Sequence, residues 1–167
     1  MSAVEPCTLP DGALLTRYRE SGDYTDCFST RIDRPVSLAE FIHAFYTTPL
    51  FRCERLILKW LVSKPSTDDD VAALASGAAG SFAAWTVEAR ADDQILLCDF
   101  QGNTRSWLMV RPVDESTDLF FGSAVTAATD QEDGSRKLER RFSILLWFHR
   151  AYSVALLKAA RKRLLRT

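Results

Sequence analysis

The side chains in this sequence with proton chemistry to offer are few, because only two histidines occur, His43 and His149. His149 stands among Leu145, Phe148 and Tyr152 on an apolar helical face, where an imidazole titrating near neutrality can exchange a proton with a bound molecule. The plainer reading is a core histidine bonded to a neighbour. His43, between Ile42 and Ala44 on a short helical stretch, reads as structural. Asp99 is the second candidate. If it faces inward with Ile95 and Leu97, it needs a partner such as Arg105, Arg111 or His149, and such a pair is a proton-transfer site. If Leu96, Cys98 and Phe100 face inward instead, Asp99 is merely solvated, and the sequence favours that arrangement. His149 and Asp99 are therefore the two weak candidates for catalysis.

Aromatic residues supply the rest. Trp85, Trp107 and Trp147, with Phe100, Phe120 and Phe121, are suited to walling a pocket for a planar or lipid-like molecule, although aromatics at strand and helix spacing are more often core. The candidate ligand-binding set is Trp85, Phe100, Trp107, Phe121, Trp147, His149 and Tyr152.

Other chemistries find no support. No glycine-rich phosphate loop occurs, the glycines at 77, 80, 102, 122 and 134 being spaced for turns and bulges. Ser123, in Phe121-Gly122-Ser123-Ala124, lacks the second glycine of a nucleophile elbow. Asp68-Asp69-Asp70 cannot converge on a metal from adjacent helical positions. Cys7, Cys27, Cys53 and Cys98 lie too far apart in sequence to form the close pair of a zinc site or dithiol centre, and read as reduced thiols. No metal or cofactor is expected.

The elements that must position these groups are legible in the periodicity. Residues 1–22, rich in Pro, Gly and charge, read as a loose lead-in laid over the surface, and residues 23–167 as a single domain. Cys27 to Asp33 suits a first strand. Ser37-Leu38-Ala39-Glu40 is a capping box ahead of Leu38, Phe41, Ile42 and Phe45 at helical spacing. Thr48-Pro49 ends that helix and opens another, with Leu50, Cys53, Leu56, Ile57, Trp60 and Leu61 as its buried stripe. A short acidic-headed helix from Asp68 to Ala75 follows, closed by Gly77.

From Ser81 the period becomes two, with Ala83, Trp85 and Val87 on one face. Strands at Gln94 to Phe100, Arg105 to Val113 and Leu119 to Ala128 follow across short turns, which requires an antiparallel meander. Five strands are legible in all. One long helix then carries Leu138, Phe142, Leu145, His149, Tyr152, Leu156 and Ala159 down one face, widened by Ile144, Trp147, Phe148, Ala151 and Leu157. So broad an apolar face must be embraced on more than one side.

This α+β order of strand, two short helices, antiparallel meander and long C-terminal helix resembles the helix-grip fold of the START and Bet v 1 superfamily, also called SRPBCC. Within it the chain looks like an uncharacterised bacterial family, through Tyr24-Thr25-Asp26-Cys27-Phe28, Thr47-Thr48-Pro49-Leu50-Phe51 and Phe148-His149-Arg150-Ala151-Tyr152. The resemblance implies a curved sheet gripping the last helix and an apolar pocket between them for a small hydrophobic molecule. Some members of the superfamily add chemistry to that pocket.

Charge bounds the partners. The net charge of -1 gives no global attraction to a polyanion, yet Arg136 to Thr167 holds ten basic residues against Glu139 alone. A basic helix end lying on an acidic body explains this, and no specific nucleic acid is expected. Lys158, Lys162 and Arg166 share one helical stripe, so a surface-interaction role using the basic end stands as an alternative, beside cyclase- or hydratase-like acid-base chemistry in the pocket. The apolar stretch from Phe142 to Ala160 contains His149, Arg150 and Lys158. A mid-span arginine costs about 2.5 to 3.5 kcal/mol, so no transmembrane segment is expected. Met1 to Pro10 shows no signal-peptide pattern, and the cytoplasm is the expected location.

Overall fold

Local signals set the helix ends. The Ser37 hydroxyl accepts the Glu40 N–H at 3.2 Å while the Glu40 carboxylate accepts the Ser37 N–H at 2.8 Å, the reciprocal box that starts a helix at Leu38. In this computed structural model, which describes residues 3–52, 67–126 and 136–166 and only the backbone course of 136–148, that helix runs Leu38–Tyr46 (α2). Residues 49–52 are again helical after Pro49, and the Thr48 hydroxyl accepts the Phe51 N–H at 3.2 Å as a cap. The stripe expected from Cys53 to Leu61 lies outside the described residues.

A second capping box, Thr67 with Asp70, opens a helix at Asp68–Ser76 (α3), which Gly77 closes with φ of 81°. The acidic run thus faces the positive end of its own helix, and Asp68 is tied to Arg52. A short helix at Thr16–Glu20 (α1) precedes α2, and the final helix spans Arg136–Leu164 (α4). It contains no stretch, among the described residues, long and apolar enough to cross a membrane.

Among the described residues seven antiparallel strands form one open sheet: β1 (Glu5–Pro6), β2 (Tyr24–Ile32), β3 (Ser81–Phe82), β4 (Trp85–Arg90), β5 (Gln94–Asp99), β6 (Thr104–Val113) and β7 (Ser116–Val125), in spatial order β1-β2-β7-β6-β5-β4-β3. Two strands more than the sequence shows are therefore present. Both extra strands have two residues, too short to display a period. The second, β3, separates from β4 at Ala83, whose φ of 51° puts a non-glycine residue in the left-handed region at a tight hairpin. The first long strand begins at Tyr24 because Tyr24, Thr25 and Asp26 pair with Val125, Ala124 and Ser123 of β7, a partner far away in sequence.

The sheet is covered on both sides. Its inner face packs Phe28, Ile95, Leu97, Leu108 and Phe121 against α2, α3 and α4. Its outer face packs Cys27, Leu96, Trp107, Met109 and Phe120 under Ala13 and Leu15 of the opening segment. Leu15 is fully buried and Leu9, Leu14 and Tyr18 join it, so residues 3–22 form a layer over the outer face. Gly122 makes that layer possible. A Cβ there would stand 2.7 Å from the Asp26 carbonyl oxygen and 2.9 Å from Leu15 Cδ2, so only glycine admits Leu15. Gly122 is therefore a packing position in mid-strand and not the turn or bulge expected of it.

Candidate functional site

Strand alternation decides which side chains meet α4. Cys27 and Gly122 face outward, so their neighbours Asp26 and Ser123, which are direct partners across β2 and β7, face inward together. His149, one helical turn before Tyr152 and two before Leu156, comes down onto this pair. Its Nε2 lies 2.6 Å from Ser123 Oγ, and Ser123 Oγ lies 2.6 Å from Asp26 Oδ1. Asp26 Oδ1 also accepts the Ser123 backbone N–H at 3.0 Å, its Oδ2 accepts the Tyr24 hydroxyl at 3.3 Å, and Oδ2 stands 3.6 Å from His149 Nε2.

These contacts fix the direction of the chain of hydrogen bonds. A carboxylate only accepts, so the Ser123 hydroxyl donates to Asp26 and its oxygen accepts from His149 Nε2–H. His149 is thereby held with its proton on Nε2, and Nδ1 has no partner among the described residues. Ser123 is no nucleophile in this arrangement, since its proton points at a carboxylate and not at the imidazole. The Tyr24 phenol, pushed up to about 12 chiefly by burial and then by the Asp26 charge, stays a donor at all ordinary pH values.

Beside this cluster is a cavity of about 270 Å³ between the sheet and α4. Phe45, Phe51, Trp85, Phe121 and Leu156 provide apolar wall, joined by Ser123 from β7 and His149 and Tyr152 from α4. Phe100 lines the same space while remaining 49% exposed, which places it on the solvent side. The indole N–H of Trp85 is buried with no partner among the described residues, an omission that ordinarily costs about 1–3 kcal/mol.

Of the residues singled out by sequence, Trp85, Phe100, Phe121, His149 and Tyr152 line one cavity. Trp107 does not. It faces outward, fully buried, with its indole N–H donated to Gln94 Oε1 at 2.9 Å. The Trp147 side chain lies outside the described residues. Asp99 lines the cavity on the face of Ile95 and Leu97, so the favoured expectation of Leu96, Cys98 and Phe100 facing inward is overturned: Leu96 belongs to the outer core. Its Oδ1, however, accepts the Asn103 and Thr104 N–H groups at 2.8 and 3.1 Å, which makes it the organiser of the β5–β6 turn. None of its expected partners is engaged with it. Arg105 pairs with Glu88 and stacks on Tyr18, and Arg111 pairs with Asp118. The carboxylate that serves His149 is Asp26, which sequence reasoning passed over. Its only signal was an acidic residue two positions before Phe28 in a strand, on the face that Phe28 buries.

The thiol reading also changes. Cys7 and Cys27, twenty residues apart in sequence, bring their sulfurs to 3.1 Å across the β1–β2 edge.

At the basic helix end, Lys158, Lys162 and Arg166 are exposed along one stripe, whereas Arg161 donates to the Arg31 carbonyl at 3.2 Å and Arg163 to the Thr47 carbonyl at 3.4 Å. Part of the charge is thus spent on fastening α4 to β2 and α2.

No family model matches this chain, and no curated protein matches it. Among solved structures, the crystal structure of CalU16 from Micromonospora echinospora is similar over 98% of this chain and 92% of its own, at 14% identity and a TM-score of 0.34. A likeness of that size carries no argument about function.

Proposed function

We propose that this protein is a binding module for a small, largely apolar molecule with one polar group, held between the sheet and the last helix in a helix-grip arrangement of the START and Bet v 1 kind. The observation that carries the reading is an apolar cavity with a single oriented imidazole in its wall. Ligand sites are typically apolar with few polar groups that fix orientation, and drug-sized ligands occupy roughly 300–1,000 Å³. At about 270 Å³ this space suits something smaller than that. His149, braced through Ser123 on Asp26, keeps Nδ1 as an acceptor for a hydroxyl or carboxylic acid proton on the ligand. Trp85, which lines the same cavity and has a buried N–H without a partner among the described residues, adds a donor for which an oxygen on the ligand is a natural partner.

A second reading, acid-base chemistry on the same molecule, is favoured by one feature: a carboxylate backs the imidazole through the serine, as a general base requires. Asp99, committed to its turn, has no part in it. The basic end of α4 as a surface-interaction element is the weaker alternative, since two of its cations are engaged within the fold.

Native mass spectrometry of protein purified without denaturation tests the binding reading, joined to a fluorescence titration with 2-naphthol. A defined adduct released by organic solvent, or saturable naphthol binding that Leu156→Phe abolishes without shifting the unfolding midpoint, supports it. An apo mass together with no saturable binding overturns it. Conversion of the recovered adduct into a new mass by the native protein, but not by His149→Gln, would move the assignment to the enzyme.

A further inference from the structure

On the opposite face of the sheet from the cavity, the register Glu5↔Ser29 and Pro6↔Phe28 continues to Cys7 opposite Cys27, and the Cys7 N–H donates to the Cys27 carbonyl at 3.0 Å. Directly opposed residues of an antiparallel pair have Cα atoms about 4.5–5.5 Å apart, within the roughly 4.4–6.8 Å that a disulfide spans. With the sulfurs already 3.1 Å apart, a bond can form without moving the backbone.

The two thiols are not equivalent. Cys7 is half-buried and lines an open polar groove of about 550 Å³ with Ser29, Arg31, Arg111 and Asp118, whereas Cys27 is buried. The Cys7 thiol is lowered to about 7, first by a hydrogen bond from Cys27 and further by Ser29 and the Arg111 charge, against the opposing effect of burial. Cys27 is raised, first by donating to Cys7 and then by burial and by the neighbouring carboxylate of Asp26. Cys7, open to the groove, is therefore the sulfur that an oxidant reaches, and the buried Cys27 beside it the one placed to resolve it.

We propose that Cys7 and Cys27 form a redox-responsive dithiol, in which a hydroperoxide entering the polar groove oxidises Cys7 and Cys27 resolves it as an intramolecular disulfide. The Cys7 thiolate attacks the terminal oxygen of the peroxide, the O–O bond breaks, and the alcohol or water leaves with one proton, giving a sulfenic acid. Cys27 then gives up its proton and attacks Cys7 Sγ. The S–S bond forms as the S–O bond breaks, and water leaves. The two sulfurs together supply the two electrons that reduce the peroxide. The product ties the layer over the outer face to strand β2, a consequence separate from any ligand in the cavity.

The test uses the full chain, reduced, desalted and exposed to an equimolar amount of hydrogen peroxide, then alkylated and mapped by non-reducing peptide mass spectrometry. The expected result is a peptide cross-linked through Cys7 and Cys27 while Cys98 remains alkylated, with the cross-link forming faster in the folded chain than in urea. In Cys27→Ser, dimedone should trap the sulfenic acid at Cys7, and in Cys7→Ser, Cys27 should stay a thiol. Oxidation of Cys98 or Cys53 ahead of Cys7, or a cross-link that forms no faster folded than unfolded, would overturn the proposal. The wild-type measurement decides the matter even if a serine variant fails to fold.

Discussion

Asp26 and Cys27 are neighbours on one strand, yet they belong to different chemical worlds. Asp26 points inward to a serine and a histidine beside a cavity, and Cys27 points outward to a thiol beneath a packed layer. The inner face is covered by helices that leave an apolar cavity beside His149, and the outer face by a segment with no regular period that leaves an open polar groove beside Cys7. A single strand thus separates a largely apolar cavity of about 270 Å³ from an open polar groove of about 550 Å³. Burial alone does not make a site; what matters is whether the covering element fills the surface it covers.

The contrast is broken most severely at Leu15. Leu15→Ala removes a fully buried side chain from the outer layer, and Leu→Ala changes of that kind cost about 2–5 kcal/mol. The urea midpoint should fall accordingly while naphthol binding per folded molecule is unchanged. A loss of binding with no loss of stability would show that the layer shapes the inner cavity rather than holding the sheet.

Asp26→Asn attacks the other side, with a smaller expected effect. The amide keeps one acceptor for Ser123 but removes the charge that Ser123 and Tyr24 share, which should cost about 1–3 kcal/mol. Its diagnostic readout is Tyr24. With the Asp26 charge gone, the phenol should ionise below about 12, though still above its ordinary value because burial is the larger cause. A difference spectrum between Asp26→Asn and its Tyr24→Phe double variant isolates that phenol, and an unmoved transition would remove Asp26 from the account of the cluster.

Much of the architecture was legible because it rests on local signals. The capping box at Ser37, the break at Pro49, the acidic start of α3 and the strand meander all depend on residues within a few positions of one another. The site was legible only in part, for a reason visible in β5 and β6. Both faces of these strands are buried, so Leu96 and Leu97, or Trp107 and Leu108, alternate between two apolar environments and the period does not reveal which is inner. That ambiguity misplaced Trp107 and turned Asp99 outward. Asp26, Ser123 and His149 meet across separations of 97 and 26 residues, and Cys7 meets Cys27 only because an irregular segment lies along an edge. Nothing in the spacing of residues announces such meetings.

The gentlest test of the two faces is the pH dependence of thiol reactivity. An ordinary cysteine titrates near 8.5, so an unperturbed thiol is mostly protonated at neutrality, whereas Cys7 at about 7 is already half thiolate there. Alkylation of Cys7 by iodoacetamide should therefore reach half its limiting rate at about pH 7. The sign of the linked stability follows. The folded chain releases this proton more readily than the unfolded one, so its contribution is complete above the ordinary thiol range and is lost as pH falls through about 7. Cys27→Ser replaces the thiol that donates to Cys7 with a hydroxyl at the same position. If Cys7 then retains its early titration, Ser29 and Arg111 suffice to hold the thiolate. If the midpoint returns to the ordinary range in Cys27→Ala but not in Cys27→Ser, the hydrogen bond from position 27 is what makes the outer face reactive.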